Sequence, residues 1–68
     1  MSQRETHELI RYKDGDWWMV FWPEAIQVTQ AERFEDAEGM GRDLIATMLN
    51  VDPNSFDVTI TDWDTSEA

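Results

Sequence analysis

Apolar residues recur along the chain in two different periods, and the change from one to the other marks out the elements. Over 7–13, Leu9 and Arg11 fall on one side and Ile10 and Tyr12 on the other, which predicts a strand. Lys13-Asp14-Gly15-Asp16 follows, and Asp-Gly between two apolar runs predicts a tight hairpin of type I′ or with a bulge. The second strand is 17–22, Trp-Trp-Met-Val-Phe-Trp, stopped by Pro23, which has no N–H to give to a ladder. A bend at 23–25 leads to a short third strand over 26–30.

From Phe34 the period becomes 3.6. Phe34, Ala37, Met40, Gly41, Leu44, Ile45 and Met48 share one arc of a helical wheel, and Glu35, Glu38, Gly39, Arg42, Asp43 and Asn50 lie on the other. Glu35, Asp36 and Glu38 suit the positive end of the helix dipole, Asn50 suits a left-handed stop, and Pro53 prevents resumption. Gly39 and Gly41 each cost about 1 kcal/mol inside a helix, a cost that close approach of the helix to the sheet would offset. Phe56, Val58 and Ile60 alternate with Asp57, Thr59 and Thr61 in a last strand over 56–63. The expected fold is α+β, in the order β-β-β-α-β, with a small sheet covered on one face by a single helix. The expected organisation is a flexible start over 1–6, one domain over 7–63 and a flexible acidic tail over 64–68.

One strand breaks the pattern. A single helix shelters one face of a sheet, yet Trp18, Val20 and Trp22 alternate with Trp17, Met19 and Phe21, so both faces of 17–22 are apolar. Val20, the smallest of the six, would let the glycines of the helix approach, which places Trp18, Val20 and Trp22 inward. Trp17, Met19 and Phe21 become the candidate contact. Hiding ~400 Å² there is worth on the order of 10 kcal/mol before the costs of association. The cover is either the chain's own termini and 23–25 loop or another molecule.

Charge narrows the choice of molecule. Five Lys and Arg against fifteen Asp and Glu in 68 residues give -10, which repels phosphate backbones and anionic lipid and attracts basic proteins. Asp14, Asp16 and Glu24 would form an acidic rim around the apolar contact. There is no cysteine for a disulfide or a thiolate metal site, and the longest apolar run, six residues, is far below the roughly 20 that span a bilayer. A cytoplasmic protein with no cofactor and no membrane or nucleic-acid contact is expected.

Catalysis finds little support. The single His7 adjoins the N-terminal segment and is expected at the surface; serine occurs only at 2, 55 and 66. Asp14 with Asp16 and Asp62 with Asp64 form D-x-D pairs of a kind common by chance in so acidic a chain. Glu8, Glu38 and Asp62 could supply the carboxylates of a metal-dependent nuclease, but a polyanion would find no basic groove. No catalytic or metal site is assigned, and the protein is expected not to be an enzyme.

Asp16-Trp17-Trp18-Met19-Val20-Phe21-Trp22-Pro23-Glu24, then Val28-Thr29-Gln30-Ala31 and Phe34-Glu35-Asp36-Ala37, resembles the N-terminal domain of the HicB family of antitoxins over nearly the whole chain. Ala31 stands where the family has Gly and Arg33 where it often has a capping Thr. The resemblance implies a truncated ribonuclease-H-like fold and an antitoxin that binds and neutralises a small basic HicA-type RNA-cleaving toxin. It also implies a homodimer or higher homo-oligomer. The sequence stops five residues after Trp63, so the DNA-binding segment common at the family's C-terminus is expected to be missing. The alternative is an acidic accessory protein, of phage or mobile-element type, that binds an unrelated basic host protein.

Overall fold

A computed structural model describes residues 5–63, so the expectations for 1–4 and 64–68 lie outside the described residues. Strands β1 (Thr6–Asp14), β2 (Trp17–Trp22) and β3 (Gln27–Ala31) lead through a 3-10 turn (Phe34–Asp36) into helix α1 (Ala37–Leu49), and β4 (Asp57–Asp62) closes the fold. The sheet order is β3-β2-β1-β4. β2 is antiparallel to both neighbours, whereas β4 lies parallel to β1 and pairs His7 with Val58, Leu9 with Ile60 and Arg11 with Asp62. The result is a small α+β domain with a mixed four-stranded sheet and one helix packed on one face. None of its described helices is long and apolar enough to cross a membrane.

The first hairpin turns on Gly15 at φ +63°. Positive φ at the first central residue alone is the type II′ pattern, in place of the type I′ or bulged turn expected from Asp-Gly. Boundaries also move. β1 starts at Thr6, where the Glu5 carbonyl accepts the Asp57 N–H at 2.8 Å. β3 starts at Gln27, because Ile26 closes the preceding turn with φ +53° and an N–H donated to the Pro23 carbonyl.

Leu9, Val20, Trp22, Ala31, Ala37, Ile45, Ala46 and Phe56 form the core between sheet and helix. The helix lies on its buried row Ala37, Gly41 and Ile45, one turn apart, whose first two members are small enough to let it come down close to β1 and β2. A methyl group on Gly41 would sit 2.5 Å from Leu9 Cδ1 and 3.1 Å from Val20 Cγ1, so the close approach holds there. Gly39 faces open space instead. The arc expected to be buried is correspondingly narrower: Phe34, Met40 and Met48 stay about half exposed, since the row Ala37, Gly41 and Ile45 takes the centre of the contact.

The C-terminal end of the helix is secured. Asn50 caps α1 in the left-handed conformation, φ 58° and ψ 50°, and both its N–H and that of Val51 reach the Ala46 carbonyl. Arg42 then staples the return loop to the helix by donating Nη1 to the carbonyls of Pro53 at 2.8 Å and Phe56 at 2.9 Å.

Candidate functional site

The helix occupies one face of the sheet, and what it leaves open follows from strand alternation. Val20 and Trp22 are buried beneath α1 and Trp18 packs on the same core, so Trp17, Met19 and Phe21 point to the other side. Their register neighbours on β1 and β3 share that side: Met19 faces Tyr12 and Gln30, and Phe21 faces Ile10 and Val28. Trp63, just beyond β4, sets its ring edge-on to Tyr12 with centroids 6.3 Å apart. The open face is therefore a strip built from all three antiparallel strands, in which Trp17 is 40% and Trp63 63% exposed. Such a strip is larger than singly scattered apolar residues, which need no explanation.

Carboxylates close the strip at both ends. Asp14 stands opposite Trp17 in the register, and Asp16 is next to it in the turn. At the far end Glu8, exposed on the open side of β1, and Glu24 line a shallow hollow with Thr6 and Pro23. Glu24 has a second engagement. One of its carboxylate oxygens accepts from His7 Nδ1 at 2.9 Å and from the Trp22 indole N–H at 3.2 Å, groups on the helix side. These bonds, the one from His7 first, hold its pKa below the ordinary glutamate value.

His7 departs from the surface position expected of it. It is 5% exposed, with its ring edge-on to Trp22 at 5.6 Å and to Phe56 at 5.3 Å. Alternation explains this, because position 7 shares the face of Leu9 and so points under the helix. Its Nε2 is buried without a hydrogen-bond partner, 3.4 Å from a Glu5 carboxylate oxygen, a contact too poorly aligned to count as one.

The three acids considered for a nuclease are dispersed. Asp62 takes a two-toothed ion pair from Arg11, which holds its pKa below the ordinary aspartate value; Glu38 pairs with Arg42 at 3.4 Å; and Glu8 lies on the open side of the sheet. No group of three or more His, Asp or Glu among the described residues could hold a metal ion. Asp64 of the second D-x-D pair lies outside the described residues.

Ile10, Tyr12, Val28 and Trp63 belong to the open face but were not singled out from the sequence. For Ile10 and Tyr12 the signal was present, in their opposition to Leu9 and Arg11 along β1. Val28 and Trp63 join only through strand order. Comparison with protein-family models, with curated proteins and with solved structures finds no match to the chain.

Proposed function

We propose that this protein is a non-enzymatic binding module of HicB-like, truncated ribonuclease-H-like type, which neutralises a small basic RNA-cleaving toxin by laying its open sheet face against it. One observation carries the reading: an apolar strip of Ile10, Tyr12, Trp17, Met19, Phe21 and Val28 with no helix over it, framed at its two ends by Asp14 and Asp16 and by Glu8 and Glu24. Aromatic side chains and Met supply large contact areas at interface centres, and the carboxylate frame selects a partner with Lys or Arg around an apolar patch. A net charge of -10 speeds the encounter with such a partner. The β-β-β-α-β order agrees with what the resemblance implies.

The test uses a small Lys-rich ribonuclease encoded beside this chain in the same genome. Titration calorimetry should give a tight complex that weakens as salt rises, and Met19→Ser with Phe21→Ser should abolish both binding and inhibition of RNA cleavage. Unchanged inhibition by that double variant rejects the open face as the contact. A neighbouring protein that is basic but cleaves no RNA, and yet binds through these residues, favours the accessory-protein reading.

A further inference from the structure

The sheet has two outer strands, and only one carries the usual protection against pairing. β4 has Asp57 and Asp62 at its ends. β3 and the turn before it run from Ala25 to Ala31 without a charge, and β3 keeps a continuous register with β2, with neither bulge nor proline. No strand among the described residues covers its outer edge, and an uncovered edge is a template for an added strand.

The two ends of that edge differ in chemistry. At its start Ile26 and Val28 are apolar and exposed. At its end an open cleft of about 560 Å³ lies between β3 and the start of α1, with Trp17, Ala31 and Met40 as its apolar wall and Glu32, Glu35 and Asp36 as its acids. All three carboxylates are exposed, and none holds a cation among the described residues: Arg11 is taken by Asp62 and Arg42 by Glu38, and Asp36 makes no capping bond to the helix. The three do not converge on a metal-ion site. Carboxylates spread around a partly exposed indole suit a larger, organic cation, which gains from the ring face as well as from the charges.

We propose that the β3 edge takes an extended segment of a basic partner protein as a fifth strand, with a Lys or Arg side chain of that segment in the acidic cleft. The inference goes beyond the open-face reading and does not rest on it; the two surfaces share only Trp17 and Val28. In strand addition, backbone pairing supplies affinity and the side-chain seats supply the choice of sequence. Here the seats are unlike. An aliphatic residue belongs against Ile26 and Val28, and a cation four residues along, roughly 14 Å away at the rise of a strand, belongs over Trp17 beside Glu32. An acidic segment is refused by the three carboxylates and by a chain charge of -10.

The test titrates the whole chain with a capped peptide, Lys-Thr-Ser-Thr-Val-Thr-Ile, which in antiparallel pairing sets its lysine opposite Glu32 and its valine opposite Val28. Calorimetry should show saturable one-to-one binding that weakens as salt rises, and hydrogen exchange should slow over β3. Glutamate in place of the peptide's lysine should abolish binding. Glu32→Gln with Glu35→Gln should weaken it about tenfold while the circular dichroism spectrum is kept. Two copies of the peptide N-methylated at alternate residues separate strand pairing from simple charge attraction: the copy blocked on the edge facing β3 should fail, and the other should bind like the parent. Met19→Ser with Phe21→Ser should leave the affinity unchanged, so failure of the edge and failure of the open face are read separately. Absence of binding overturns the proposal. So does equal binding by the two N-methylated copies, full affinity in Glu32→Gln with Glu35→Gln, or loss of binding on Met19→Ser with Phe21→Ser. Protection of β3 that follows chain concentration instead of peptide also overturns it, and gives the edge to a second copy.

Discussion

His7 and Glu24 are joined at 2.9 Å across the end of the sheet, one ring buried beneath the helix and one carboxylate largely in water. The bond ties the start of β1 to the turn after β2. With the Trp22 indole donating to the same oxygen, the carboxylate accepts two hydrogen bonds that favour its charged form. Its lowered pKa makes the bond acid-sensitive. A group whose folded pKa is depressed contributes fully above its unfolded value and loses that contribution as pH falls through the folded one. Urea midpoints of the wild type should therefore decline below the ordinary carboxylate range, and Glu24→Gln should flatten that decline. An equally steep acid limb in the variant would show that Glu24 contributes nothing to it.

Arg11 and Asp62 add to the same limb with the same sign, since Asp62 is also depressed by its partner. Arg11 reaches further, its guanidinium lying 3.7 Å over the Phe34 ring. Asp62 is more than half exposed, so the pair ranks among surface bridges worth up to about 1 kcal/mol. Asp62→Asn should cost about that much or less at neutral pH, and Arg11→Ala more, because it also uncovers Phe34. Chemical denaturation of both variants checks the order.

The two helix glycines should respond with opposite signs. Gly41→Ala forces a methyl group against Leu9 and Val20 and should destabilise by about 1–3 kcal/mol. Gly39→Ala meets nothing and should stabilise by up to about 1 kcal/mol through helix propensity. Thermal melts of both variants decide the matter, and two changes of the same sign would contradict the close approach at Gly41.

Arg42 should be intolerant even of Lys. Its Nη1 serves two carbonyls, of Pro53 and Phe56, while its Nε reaches Glu38 at 3.4 Å. A lysine ammonium lacks that fork. Arg42→Lys should cost about 1–2 kcal/mol and speed amide exchange over residues 51–56 before the rest of the fold, as hydrogen exchange would show.

Most of the fold was legible because it is written in local rules. Alternation along β1 and β4, the apolar run of β2, the Asn50 stop and the small side chain of Val20 each report on nearest neighbours in the chain or across one contact. What escaped depends on strand order. Alternation puts His7 on the face of Leu9, but only the pairing of β1 with Val58 on β4 extends the strand past it and encloses the ring. The breadth of the open face escaped for the same reason, since Tyr12, Met19 and Gln30 stand in one row only when three strands are placed side by side. Ile26 gave no warning, because its sequence reads as the first residue of a strand and its positive φ is imposed by the turn.

The four indoles are distributed across the sheet in a way that gives the molecule its own optical probes. Trp22 lies in the interior and Trp18 packs against the same core, whereas Trp17 and Trp63 are exposed. Anything that settles on the bare side of the sheet should shift the long-wavelength emission and shield it from iodide, leaving the inner pair unchanged. Melting should do the reverse, so occupancy and integrity are readable in one cuvette without a label.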